Sequence, residues 1–306
     1  MERFENWMSY SFDDVEFGIK TLNTKKFQIH FNKKIKGPLP TFKEALYNNA
    51  RLMRDCYSEP FDVCLSGGTD SEVMVRVFKD LKINHNTYIF RLEDNLNFID
   101  VRNAVELCQQ LNLPYHIIDF NMKKFFENEV VDYFNRFLTG CVLSLPRLKW
   151  FEYLDNIPVI GNGEPYWKRE LEADYSQKSK WIYDMGENEY IYSIAARRIN
   201  RTVIGDWYEF TPEVLLSSIH VPYIASLLND QIPGKHSNRS SKALMFDHIW
   251  PDIKLKPKLI GYEGYGAQGS FPEYINEFKT YVETHFPNTE FWYSIEELEN
   301  FLIEKS

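Results

Sequence analysis

The chain is poor in the features that mark secreted, metal-bound and membrane proteins. Its 306 residues hold only four cysteines, Cys56, Cys64, Cys108 and Cys141, with no Cys-x-x-Cys pair among them. That scatter argues against a disulfide framework or a structural zinc, and Cys64 and Cys108, on apolar faces, are expected to be buried and reduced. No apolar run approaches the ~20 residues needed to cross a bilayer. The first seven residues, MERFENW, lack the basic and apolar regions of a signal peptide. A cytoplasmic location and no membrane partner are therefore expected. Positive charge is the minority sign, 35 Lys+Arg against 44 Asp+Glu, so a broad electrostatic footprint for nucleic acid is not expected. Internal repeats and low-complexity segments are absent as well.

What remains is ordinary in bulk. Apolar residues make up 44% and charged residues 26%, the proportions of a soluble globular protein. The length suits one large α/β domain or two smaller ones. Aromatics reach 16%, alongside abundant Asn, Lys and Ile. An AT-rich coding sequence produces that bias, so the aromatics are not taken as a stacking platform.

One segment stands apart. Residues 62 to 71 read Asp-Val-Cys-Leu-Ser-Gly-Gly-Thr-Asp-Ser. A short apolar strand, Phe61 to Leu65, runs into Ser66-Gly67-Gly68-Thr69-Asp70-Ser71. A helix follows, with Val73, Met74, Val77, Phe78 and Leu81 at helical spacing. Two glycines allow a tight turn and close approach of a ligand, and the helix start favours an anion. Ser66, Thr69 and Ser71 add hydroxyls. Asp70 would repel phosphate unless a cation lay between them, so the group describes a cradle for magnesium-pyrophosphate. No Gly-Lys-Ser/Thr follows, which excludes a Walker loop.

Around this segment the pattern is β-α-β-α-β. Strands are expected near 87–92 and 115–120, a helix carries Val101 to Leu111, and Ile157 to Ile160 forms a later strand ending in Gly161-Asn-Gly-Glu164. Alternation of this kind predicts an α/β fold with a doubly wound parallel sheet. Ligands gather beyond the carboxyl ends of such strands, so the two glycine-bearing ends are expected to face one crevice. Residues 1–37 are expected to form a small hairpin-like appendage from Phe17–Lys20 and Phe27–Phe31, and 38–306 the main domain. Thr41 can cap a helix. Glu170 to Asn188, charged and aromatic with poor periodicity, is expected to be a loop or lid. Helices are expected after Thr211 and around 221–228, 240–250, 272–286 and 294–305, making the carboxyl-terminal part helical.

SGGTDS matches the signature of the PP-loop, or N-type, ATP pyrophosphatase superfamily, of the adenine nucleotide α-hydrolase-like fold. Three segments together resemble the synthetase domains of asparagine synthetase and β-lactam synthetase. The first is SGGTDS; the second, Gly161-Asn-Gly-Glu-Pro-Tyr166, stands where that family has a second glycine-acid motif. Here Asn162 replaces an expected Asp and Pro165 a common acid, leaving Glu164 as the carboxylate of the turn. The third, Lys256 to Gly266, is similar to the family's Pro-Lys-Leu-Gly-x-x-Glu-Gly-x-Gly stretch and gives Lys258 the role of its active-site lysine. Zinc-cysteine nitrile synthases and paired-cysteine tRNA thiolases of the superfamily fit less well, as do GMP and NAD synthetases, which lack the third segment. The family's amino-terminal glutaminase has no counterpart ahead of residue 66.

The resemblance implies an AMP-forming ligase using ATP and Mg2+. A carboxylate or amide-like oxygen would be adenylated and then transferred to an amine. Ser66, Gly67, Gly68, Thr69, Asp70, Ser71 and Gly161 would bind nucleotide, with Phe90 and Arg91 holding adenine through their backbone. Asp70 and Glu164 would hold the metal, and Lys258 and Glu164 would be catalytic. Glu164, Tyr166 and Glu170 are candidate general bases. Arg197, Arg198 and Arg201 could grip an acidic substrate, although a solvent-facing stripe is favoured. The partners expected are a small carboxylate and a small amine; with no glutaminase expected, the amine source stays open between free ammonia, a separate ammonia-supplying subunit, an amino acid or polyamine, and an amine of the same substrate. Two other classes stay open: a nucleotide-binding regulatory or assembly module, and an enzyme tailoring a modified nucleotide.

Overall fold

The structure, a computed structural model, describes residues 7–163, 165, 167–169, 181–187, 190–221, 245–246, 248–253, 273–286 and 292–304. The chain opens with an antiparallel sheet of β1 (Met8–Phe12), β2 (Val15–Glu16) and β3 (Phe27–Phe31), ordered β2-β1-β3. The partner of β3 is β1, with Tyr10 opposite Ile29, and Phe17–Lys20, expected as a strand, is not one. The reason is local. Asp13 and Asp14 both have positive φ, the pair of left-handed residues that closes a two-residue hairpin, so β1 turns back at once and Phe17, also at positive φ, leaves the sheet.

Helix α1 (Phe42–Cys56) starts at a capping box in which Thr41 and Glu44 satisfy each other's backbone N–H groups. The core then follows as β4 (Phe61–Cys64), α2 (Thr69–Asp80), β5 (His85–Leu92), α3 (Phe98–Leu111) and β6 (His116–Phe120). Three short helices come next, α4 (Met122–Asn128), α5 (Val130–Phe137) and α6 (Leu145–Trp150), before β7 (Ile157–Ile160). Strands β4 to β7 make one parallel sheet ordered β6-β5-β4-β7. The chain winds outward from β4 to β6, then returns to the other side of β4, so strand order reverses between β4 and β7.

Alternate residues of these strands feed two cores. Phe61, Val63 and Ile89 pack with Val73, Val77, Ala104 and Leu107 of α2 and α3. Cys64, Phe90, Leu92 and Phe120 pack on the opposite face with residues of α4 to α6. The fold is therefore α/β with helices on both faces of a parallel sheet. Trp7, just ahead of the amino-terminal sheet, and Phe12 and Phe27 within it belong to the first of those cores, together with Leu46 of α1.

Further along, β8 (Trp167–Arg169) and β9 (Trp181–Asp184) lead to α7 (Ile191–Arg198) and α8 (Pro212–Ser218). Helix α9 (Glu273–His285), β10 (Trp292–Ser294) and α10 (Ile295–Leu302) follow. Strands β10-β9-β8 form a small antiparallel sheet. The expected loop over 170–188 thus contains a strand at Trp181–Asp184, paired to residues more than a hundred positions away. Thr211 precedes α8, but its hydroxyl donates to Asn49 Oδ1 of α1 at 3.1 Å instead of capping. Ser294 and Glu297 form a second capping box at α10. That helix ends in a clasp: Ile35 donates to the Leu302 carbonyl at 2.6 Å and accepts from the Glu304 N–H at 3.0 Å. The helices expected near 221–228 and 240–250 lie largely outside the described residues. Among those described, no helix is long and apolar enough to cross a membrane.

Candidate functional site

Strand β4 ends in a turn that closes on itself. The Ser66 N–H donates to Ser71 Oγ at 3.2 Å, the two serine hydroxyls lie 3.0 Å apart, and the Gly68 N–H donates to Ser66 Oγ at 3.3 Å. Ser71 Oγ in turn donates to the Gly68 carbonyl at 3.1 Å. Gly67 has φ +80, and a Cβ there would lie 2.0 Å from the Asp100 carbonyl oxygen. Only glycine satisfies both the conformation and the contact. Helix α2 begins at Thr69 with Gly68 at its cap position and no side-chain cap. The positive end of this helix dipole favours an anion.

The turn after β7 is held from outside. Residues 204–209 run beside it as a bracket: Ile204 bridges Val159 in parallel, and Ile160 and Ile204 extend that pairing. Asp206, fully buried, accepts from Asn162 Nδ2 at 2.9 Å and from Ser193 Oγ at 3.1 Å. The Tyr208 N–H donates to the Asn162 carbonyl at 3.2 Å, and the Tyr208 hydroxyl donates to the Asp70 carbonyl at 2.8 Å. Burial drives the Tyr208 ionisation well up, with the nearby Asp70 and Glu72 carboxylates adding to it, so this phenol is a permanent donor. The bracket is itself anchored: Asn49 Nδ2 reaches the Trp207 carbonyl at 2.7 Å, Trp7 Nε1 the Glu209 carbonyl at 3.0 Å, and Tyr183 the Glu209 carboxylate at 2.6 Å. Gly161 lets the two turns meet, since a Cβ on it would lie 3.0 Å from Ser71 Cα.

A cavity of about 190 Å3 opens at this junction. Ser66 and Ser71 of the first turn and Gly161 and Asn162 of the second form one end. Phe90 and Leu92 of β5 and Trp150 of α6 form an apolar wall, where the Phe90 and Trp150 rings stack at 4.3 Å and 8°. Cys64 also faces the cavity, but burial, with Asp62 nearby, pushes its thiol up to about 12. It is no nucleophile at neutral pH.

The residues expected at the site fall into three groups. Ser66, Gly67, Gly68, Thr69, Asp70, Ser71 and Gly161 come together at the strand ends, with the Phe90 ring beside them. The Phe90 carbonyl, however, accepts from Asn97 Nδ2 at 2.8 Å, and the Leu92 N–H donates to Asn97 Oδ1 at 2.9 Å. Asn97 thereby holds the strand-end edge assigned to a base. The Arg91 side chain points elsewhere, paired with Asp119 at 2.6 Å on the rim of a separate hollow. Glu164, Tyr166, Glu170 and Lys258 lie outside the described residues.

The expected solvent-facing arginine stripe is a correction. Arg197 lies over the Phe17 ring at 3.6 Å, Arg198 donates to the Lys20 carbonyl at 2.8 Å, and Arg201 donates to the carbonyls of Phe151, Leu154 and Asn156. All three are half-buried and spend their donors on carbonyls or a ring. Among the described residues, no three His, Cys, Asp or Glu side chains gather as a metal site. Of the two carboxylates in the first turn of α2, Glu72 is paired with Arg76, and Asp70 suits a Mg2+ that arrives with nucleotide phosphates, because that ion commonly uses one or two carboxylates plus phosphate and water.

Sequence reasoning passed over Asn97, Arg147, Trp150, Tyr192, Asp206 and Tyr208. For the α6 pair a signal existed: Leu145, Leu148 and Phe151 recur every third residue, which marks a helical stripe. Asp206 and Tyr208 carry none, since only the return of the chain to β7 gives them a role.

No protein-family model matches the chain, and no curated protein matches it in sequence. Solved structures similar to it include the NH3-dependent NAD synthetase from Campylobacter jejuni subsp. jejuni NCTC 11168 in complex with the nitrate ion. Identity there is 16%, with 70% of this chain and 95% of that one covered, at a TM-score of 0.30. The NMN synthetase from Francisella tularensis is similar at 13% identity, over 72% of this chain and 99% of that one, at a TM-score of 0.27.

Proposed function

We propose that the chain is an ATP-dependent adenylating synthetase of the PP-loop kind, acting in the manner of the asparagine and β-lactam synthetases. One observation carries this reading. The self-closed SGGTDS turn and the Gly161 turn meet at the reversal of a parallel sheet, around a cavity that joins hydroxyls to an aromatic wall. Crevices at such reversals are where open α/β sheets bind ligands.

In the assigned reaction a substrate oxygen forms a bond to the α-phosphorus of ATP as the bond to pyrophosphate breaks; an amine then displaces AMP. The Thr69 and Ser66 hydroxyls, with the positive end of α2, stabilise the charge of the departing pyrophosphate, while Ser71, its proton given to the Gly68 carbonyl, holds the turn in shape. Bound Mg2+ would neutralise part of that charge, with Asp70 holding it and Glu164 as a second ligand. Phe90, Leu92 and Trp150 provide an apolar seat for the base, and Asn97 keeps the end of β5 rigid beneath it. Lys258 is assigned to the charged transition state. The acyl and amine substrates are small molecules, and ammonia supplied by another subunit is one source of the amine.

The test is mass spectrometry of the pure protein with ATP, Mg2+ and a metabolite extract. AMP and pyrophosphate are expected, together with one new product mass. ADP and phosphate would overturn the mechanism, and nucleotide binding with no AMP release would favour a binding module. Asp70→Asn is expected to abolish turnover, and Lys258→Ala to spare nucleotide binding while losing chemistry; normal rates in either would remove its assigned role.

A further inference from the structure

Arg147 takes no part in the mechanism above, yet it is the one basic residue among the described walls of the cavity, where Asp100 is the one acid. Helix α6 explains its direction. Leu145 and Leu148 are buried in the core, while Arg147 and Trp150, also three apart, leave the helix together and line the cavity. Arg147 Nη1 donates to the Tyr192 hydroxyl at 3.2 Å. Tyr192 is buried, and burial raises its ionisation, so the phenol stays neutral there and orients the guanidinium without cancelling its charge. Beside it, Trp150 Nε1 is buried with no acceptor among the described residues. A guanidinium and an indole ring thus line the same cavity as the two glycine turns.

We propose that Arg147 anchors an oxyanion in this cavity, either the α-phosphate of the nucleotide or the carboxylate that attacks it. The choice of anion rests on the synthetase reading; the anchor itself rests on the placement of the guanidinium. Bringing one oxyanion onto another beside Asp70 and Asp100 is electrostatically costly, and a cation lining the same cavity as the pyrophosphate turn offsets that repulsion where charge develops. The planar guanidinium can engage two oxygens at once, which a lysine ammonium cannot reproduce.

The test is calorimetric titration of the full chain, as wild type, Arg147→Lys and Arg147→Gln, with adenosine, AMP, phosphate and acetate. An α-phosphate anchor predicts that Arg147→Gln weakens AMP about tenfold to a hundredfold, leaves adenosine unchanged and is partly rescued by Arg147→Lys. A carboxylate anchor predicts unchanged AMP binding, with extract-driven AMP release needing a higher extract concentration for half-saturation. Equal weakening of adenosine and AMP would mark a structural role and overturn the anchor. So would unchanged AMP affinity together with unchanged extract-driven turnover, and that result would leave the nucleotide reading standing. Arg147-dependent binding of phosphate or acetate by a protein that ignores adenosine and AMP would do the reverse. Absence of binding by every probe would overturn both.

Discussion

The two glycine-bearing turns at the carboxyl edge of the sheet are built on opposite plans. The turn after β4 closes through its own residues, with Ser66, Gly68 and Ser71 satisfying one another within six positions. The turn after β7 takes its shape from a bracket more than forty residues downstream, through Asp206 and Tyr208. One Tyr208 side chain then ties the bracket back to the first turn at Asp70. The first turn is therefore a local device and the second a tertiary one. A site made of both inherits its stability from the weaker plan.

The contrast can be broken hardest at Gly67. Gly67→Ala sets a Cβ 2.0 Å from the Asp100 carbonyl at a φ of +80, so a loss of about 3 kcal/mol or more is expected in urea unfolding, with nucleotide binding abolished. A stable, binding-competent variant would show that the turn does not need its present shape. Next is Asp206→Ala, which strips the shared acceptor from Asn162 and Ser193. The expected cost is about 2–3 kcal/mol. Hydrogen exchange should quicken at residues 161–163 and stay slow in α2; equal loosening of both turns would erase the distinction drawn between them.

Smaller still is Tyr208→Phe, which leaves the Asp70 carbonyl without this donor at a cost of about 1–2 kcal/mol. Magnesium-nucleotide affinity should fall more than folding stability does, and the opposite ranking would deny Tyr208 a linking role. The smallest effect serves as a baseline, at the foot of β5, away from both turns. His85 is packed edge-on against Phe78, and burial holds its ionisation below the ordinary 6.5. The unfolded chain therefore binds a proton there that the native state refuses, so stability falls as pH drops below about 6.5. In His85→Gln that part of the pH dependence should disappear with nucleotide affinity unchanged; an identical pH profile would assign the loss to other groups.

The same local-versus-distant division decides what was legible in the amino acids. Strand Phe61–Cys64, helix α2 and the SGGTDS turn were readable because their causes lie within one window: a β-rich run, two glycines, then residues three and four apart. Strand Ile157–Ile160 and the start of α1 at Thr41 were legible for the same reason. Strands β8 to β10 were not, being three or four residues long, with β10 paired to β9 more than a hundred positions earlier. The helices between residues 122 and 150 were passed over although their buried residues, Met122, Phe125 and Phe126 in α4 and Val130, Tyr133, Phe134 and Phe137 in α5, recur at helical spacing; each helix is only six to eight residues long, too short for that period to stand out. Arg201 looked like a surface charge because the three carbonyls it serves are some fifty residues earlier. The cavity wall of Arg147, Trp150 and Tyr192 is assembled from two helices whose approach no single window contains.

The clasp between Ile35 and the end of α10 has a bearing on how the molecule comes into being. Phe31, emerging early from a ribosome, finds its neighbours Tyr293 and Phe301 only when synthesis has nearly reached residue 303. Until then the first sheet offers a sticky aromatic flank to whatever is nearby, which makes the nascent chain a natural client for chaperones. Only once residues 292–303 have been made can that flank be covered.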